Sequence, residues 1–391
     1  MPINKIPGVY YDEDVTYELT GEGSKIPVII GATGNTYDEE NNPTYKIDGT
    51  QIRKYSGWDE VNVATNATNP GIGVWTENTT NQLSNFLKEF FEEAKLQAND
   101  DIGVPHIYVI DVGDGKTKQS WLNAIDLAKS KLDATIEAYI GCDTITGYTI
   151  KDFITGVSTK LKECTVELDL RTGFTTKGYS NPSSVTDADL IALTGSSTGN
   201  QESRIGIMEP LLAGKTFARI CVTPANTEPG FFEYRSVEPG TFKDRTRAQM
   251  LALQNAGIIF NRDEHINGNV YPKINLCVSS AFASNPRPAD AMFHARFNAD
   301  DLLREVFEAC YSQIKANESA TNIAYLQTRI NKIVNDRVSS EEMIQYDEKT
   351  GKGTKLIATP SDANPYSIII SGQMQPQKCT VAIEVTATLV I

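Results

Sequence analysis

Apolar and polar residues alternate most cleanly at the two ends of this chain. From 9 to 20, Val9, Tyr11, Val15, Tyr17 and Leu19 fall on one side and Thr16, Glu18 and Thr20 on the other, with Glu13 the one break. This is the period of a half-buried strand. At the other end Cys379, Val381, Ile383, Val385, Ala387, Leu389 and Ile391 alternate with Lys378, Thr380, Ala382, Glu384, Thr386, Thr388 and Val390. Extended at ~3.3 Å per residue, that segment spans roughly 46 Å, longer than most strands of compact domains. It is expected to reach beyond its own domain.

Between the ends, apolar runs predict buried strands at 26–30, 106–112, 135–140, 217–222, 274–278 and 366–370. Helical spacing relates Leu83, Phe86, Leu87, Phe90, Phe91 and Ala94, behind the capping candidates Thr79, Thr80 and Asn81, and again Trp121, Leu122, Ile125, Ala128 and Leu132. Further helices are expected over 247–256, stopped by Gly257, and over 299–315, with Asn298 as cap and Leu303, Val306, Cys310 and Ile314 on one face. A last one turns Ile323, Leu326, Ile330 and Ile333 inward. Strand, helix and strand between 106 and 140 imply a right-handed parallel crossover, hence an α/β centre. Polar stretches at 33–49, 61–73, 173–187 and 347–353 predict surface loops.

The length of 391 residues suits two or three domains. A formal net charge of −14 argues against nucleic acid as a ligand, because binding it requires clustered Lys and Arg. No apolar run is long enough to insert in a membrane, and Met1-Pro2-Ile3-Asn4-Lys5 lacks a secretory h-region, so synthesis and retention in a cytoplasm are expected. Cys142, Cys164, Cys221, Cys277, Cys310 and Cys379 lack the two-residue spacings of zinc or redox sites and read as small core residues.

Candidate chemistry is thin. Gly195-Ser196-Ser197-Thr198-Gly199 fits the G-x-S-x-G elbow, with Asp263 and His265 downstream, and makes a serine hydrolase using Ser197 one alternative. An elbow needs a helix after the serine, and residues 200–206 carry no helical period; a flexible Gly/Ser turn accounts for the match. Gly31-Ala32-Thr33-Gly34 follows a strand as a phosphate loop would, but the third glycine, the Walker lysine and the following helix are missing. Asp111 and Asp143 have no paired base, and His106, His265 and His294 have no metal spacing. No catalytic, cofactor or metal residue is assigned.

Four segments carry a family likeness: Ile6-Pro7-Gly8-Val9-Tyr10, Ile26 to Gly34, Phe90-Phe91 with His106 to Val112, and Gln375-Pro376-Gln377-Lys378 running into the final alternation. Together they resemble contractile tail sheath proteins of phages, tailocins and related injection machines, over about the first 140 and last 130 residues. The resemblance implies a tail-sheath-like α/β (α+β) fold, with mixed sheets flanked by helices and extended N- and C-terminal β-arms. It also implies hexameric rings stacked helically around a tail tube, with baseplate and tail terminator proteins as further partners, in a virion tail or contractile particle assembled in the producing cell. A tube or baseplate protein is the nearer alternative.

The expected division is an N-terminal arm (1–24), a first part of the body (25–100), a central α/β domain (101–260), a C-terminal domain (261–377) and a C-terminal strand arm (378–391). Pro7, Gly8, Val9, Tyr11, Val15, Tyr17 and Leu19, with Val381, Ile383, Val385, Leu389 and Ile391, are expected to complete sheets in neighbouring subunits. Gly21 and Gly23 are candidate hinges. Arg329, Lys332 and Arg337 on one helix form a candidate tube-facing patch.

Overall fold

The computed structural model describes residues 26–31, 52–61, 82–97, 106–112, 118–132, 136–141, 152–157, 159, 172–176, 182–194, 204–223, 227–283, 292–311, 320–360 and 368–377. Seven strands make one sheet in the order β2-β3-β1-β4-β5-β6-β7. They are β1 (Ile26–Gly31), β2 (Arg53–Tyr55), β3 (Ile107–Asp111), β4 (Ile136–Gly141), β5 (Thr172–Thr176), β6 (Ile205–Met208) and β7 (Ile258–Ile259). Every pair is parallel except β2 with β3. One sheet therefore takes strands from both the 25–100 and the 101–260 segments.

Val28, Ile29 and Ile30 are fully buried, because helices cover both faces and a central parallel strand has no solvent side. Val28 and Ile30 join the core under α3 (Lys118–Lys131), the helical turn α4 (152–157) and α5 (Asp187–Thr194). Ile29 points the other way, into the core under α1 (Trp58–Val61), α2 (Gln82–Gln97) and α6 (Ala213–Val222). There Phe86 stacks on Tyr139, ring centroids 4.2 Å apart, and Phe90 and Phe91 meet edge to face at 5.4 Å.

Helix α7 (Arg247–Asn255) starts at a reciprocal cap between Thr246 and Gln249 and stops before Gly257, whose φ of 73° suits glycine. Strands β8 (Asn261–Ile266) and β9 (Asn269–Ile274) form a hairpin. Its two-residue turn, Asn267-Gly268, has positive φ at both positions, which matches the twist of the flanking strands.

The C-terminal part has its own core. Helices α8 (Phe293–Tyr311) and α9 (Ala320–Ser339) pack with the antiparallel pair β10 (Lys355–Pro360) and β11 (Ile368–Gln373) around Leu302, Val306, Leu326, Ile330, Met343 and Leu356.

Four expectations need correction. Residues 217–222 are the second half of helix α6, not a strand; the polar row Lys215, Thr216 and Arg219 that marks the helical period starts before that apolar run. The stretch 173–187 contains β5, a central strand, not only a loop. Strand β9 ends at Ile274, and beyond it the backbone bonds elsewhere, Asn275 N–H to Phe260 O and Cys277 N–H to Glu228 Oε1. Asn298 does not cap α8, which begins five residues earlier at Phe293.

Candidate assembly site

Among the described residues β10 and β11 form a ribbon of two strands, in the register Lys355↔Gln373, Leu356↔Gly372, Ile357↔Ser371, Ala358↔Ile370, Thr359↔Ile369 and Pro360↔Ile368. Leu356 and Ala358 are buried against the helices, with Ile368 and Ile370 packed beside them. The opposite face carries Ile357 and Ile369, which are 41% and 48% exposed. A strand at the edge of a ribbon can pair with a further strand through its backbone groups. Sequence reading placed a strand near 366–370 but missed Lys355–Pro360; the alternation of Leu356 and Ala358 with Ile357 and Thr359 was its available signal.

Of the three basic candidates on α9, Lys332 is exposed and Arg329 Nη1 donates to the Ala309 carbonyl at 3.3 Å. Arg337 is engaged by Asp301 at 2.7 Å, Glu305 at 3.0 Å and Glu342 at 2.6 Å. Burial works against its charge, but Asp301, Glu342 and Glu305 outweigh that effect and push the guanidinium pKa up. Its charge is thus neutralised within the subunit, tying α9 to α8. Nearby, burial raises the Cys310 thiol to about 11 against the opposing influence of Arg329.

Pro7, Gly8, Val9, Tyr11, Val15, Tyr17, Leu19, Gly21, Gly23, Val381, Ile383, Val385, Leu389 and Ile391 lie outside the described residues, as do Asp143, Ser197 and the flanking glycines. Asp263 accepts the Phe242 N–H at 3.0 Å, and His265 is exposed on β8. His294 Nδ1 lies 3.0 Å from Glu228 Oε2, whose other oxygen accepts the Cys277 N–H at 2.6 Å, a buried structural tie. His106 Nδ1 lies 3.1 Å from Ser56 Oγ. Among the described residues no group of three or more His, Cys, Asp or Glu could hold a metal, and no helix is long and apolar enough to cross a membrane.

No family model and no curated protein matches the sequence. Solved structures do. A chain of the 6-fold symmetrised anti-feeding prophage baseplate aligns at a TM-score of 0.61 and 12% identity, covering 100% of both chains. The contracted helical sheath of the same prophage aligns at 0.58 and 13%, covering 99% of each. A sheath tail protein of Listeria innocua aligns at 0.58 and 9%, over 91% of this chain and 93% of that one. The chain has the fold of contractile tail sheath proteins.

Proposed function

We propose that this chain is a structural sheath subunit of a contractile tail particle and works by polymerising, not by catalysis. The observation that carries this reading is the end-to-end agreement with a contracted sheath subunit, at 99% of both chains, in a molecule whose described residues give the β10–β11 ribbon two strands. The terminal alternations at 9–20 and 379–391 supply matching extended segments. An arm of one copy adds to the β10–β11 ribbon of another, and main-chain hydrogen bonds hold the lattice together.

Head-to-tail contacts of this kind do not close pairwise, and with a rise they generate helical stacks. Six subunits per ring fit the 6-fold symmetry of the similar baseplate. In contraction the bodies rotate and move outward as rigid units, while the arms stay connected and bend at Gly21 and Gly23. The extended lattice is held by a barrier until triggered, which is kinetic stability. The partners are other copies, the tail tube, the baseplate and the tail terminator. Lys332 and Arg329 face the tube, with Arg337 behind them supporting the helix. No cofactor takes part, and the hydrolase alternative through Ser197 has no support from the similar structures.

The baseplate likeness favours a second reading, in which the chain is a fixed component of the baseplate. Electron microscopy of the intact chain separates the readings, and deletion of residues 1–20 tests the arm. For a sheath subunit, the intact chain forms long hollow polymers in electron micrographs, and the truncated chain stays folded, soluble and monomeric in sedimentation. Closed rings of fixed size from the intact chain favour the baseplate.

A further inference from the structure

Gln327 on α9 places its carboxamide against the outer edge of β10. Its Nε2 donates to the Leu356 carbonyl at 2.9 Å and its Oε1 accepts the Ala358 N–H at 2.8 Å. The same nitrogen donates to Asn331 Oδ1 at 2.8 Å, which fixes the amide plane. One donor and one acceptor bonded to the residues on either side of Ile357 reproduce the pairing that a single residue of a parallel strand would make. The side chain thus occupies the position of a neighbouring strand.

We propose that Gln327 is an edge guard that closes β10 to strand addition and thereby directs the incoming strand of a second copy to β11. The proposal rests on the strand-addition reading given above. In an antiparallel pair, directly opposed residues either bond to each other or both face outward. Leu356 and Ala358 face outward toward Gln327, so their partners Gly372 and Ile370 face outward on the other side, and Pro360 and Ile368 follow the same alternation.

The β10 edge is therefore blocked twice. Its Ala358 N–H and Leu356 carbonyl are already bonded, and Pro360 has no N–H to offer. Displacing Gln327 would break these bonds and leave a half-buried amide to find new partners. The β11 edge offers the N–H and C=O groups of Ile368, Ile370 and Gly372, and the described residues supply no third strand.

The occupant is the 379–391 segment of a second copy. Its apolar row, Val381, Ile383 and Val385, extends the buried face begun by Ile368 and Ile370, and its Thr and Glu residues extend the outer face.

Backbone hydrogen exchange on free and polymerised full-length chains tests the assignment. On polymerisation, exchange at Ile368–Gln373 is expected to slow about tenfold or more, while Lys355–Pro360 stays within about twofold of its free value. In the free, folded Gln327→Met variant, exchange at Ala358 is expected to accelerate about tenfold. Protection gained at 355–360 in wild-type polymers, or no change at Ala358 in the variant, overturns the guard. Protection at 368–373 that persists in polymers lacking 379–391 overturns the occupant. Protection gained on neither strand contradicts strand addition itself.

Discussion

Arg204 and Asp300 meet through two parallel hydrogen bonds, Nε to Oδ2 at 2.9 Å and Nη2 to Oδ1 at 2.7 Å, with side chains only 5% and 0% exposed. The pair joins the approach to β6 in the large sheet to helix α8 of the C-terminal part. Arg296 also donates to Asp300, from Nε at 3.0 Å. Because Arg296 still compensates Asp300, removing Arg204 costs less than emptying a buried pair, about 1.5–3 kcal/mol for its hydrogen bonds to a buried charge. Arg204→Ala is expected to lower the urea midpoint by that equivalent, and a loss below about 1 kcal/mol would show the pair to be peripheral.

Helices α2 and α6 pack so closely that only glycine fits at 214. A Cβ there would lie 2.3 Å from the Phe86 carbonyl oxygen and 2.7 Å from Glu89 Cβ. Backbone on the facing helix cannot yield cheaply, so Gly214→Ala is expected to destabilise by roughly 1–3 kcal/mol despite alanine's better helix propensity. Thermal unfolding at neutral pH reads the difference.

Glu89 lies at the same contact and accepts the Gly214 N–H at 3.0 Å. Burial raises its pKa to about 7, against the lowering effects of that hydrogen bond and of Lys215. The folded protein therefore holds this proton to higher pH than the unfolded chain does, and stability falls as pH rises from about 4.5 to about 7. Glu89→Gln keeps the acceptor and removes the titration. Its stability advantage over wild type is expected to grow between pH 5 and pH 8 in paired thermal scans, about the range of the two pKa values. A constant difference would mean that the carboxyl titrates normally.

Much of the body could be read from residue patterns. β1, β3 and β4 stand out as apolar runs, and α2 and α3 as amphipathic repeats, because each follows the simple period of its element. Helix α6 reads as a strand because the apolar run 217–222 is too short to show a period, and Lys215 and Thr216, which share a side of the helix with Arg219, lie just before it. β5 was missed because Thr172-Gly173-Phe174-Thr175-Thr176 is polar in composition, although threonine favours strands. The candidate site was half visible: β11 showed as an apolar run near 366–370, while the two-bond clasp of Gln327 on β10 joins positions about thirty residues apart and leaves no local pattern.

Ile369 is 48% exposed on the outer face of the ribbon, where a charge should not disturb the subunit's own core. Ile369→Lys is expected to change unfolding stability by no more than about 0.5 kcal/mol. Polymer yield in a pelleting assay is expected to stay near that of the wild type, because the docking strand turns Thr and Glu residues to this face and bonds through its main chain. Loss of polymers from this variant would place the contact on the outer face instead of the β11 edge.

Electron cryo-microscopy of polymers of the intact chain tests the central claim most directly. The expected map shows the β10–β11 ribbon of each subunit extended by a strand traceable to a different copy. A map in which the ribbon keeps two strands, and both chain ends fold back onto their own subunit, would contradict it.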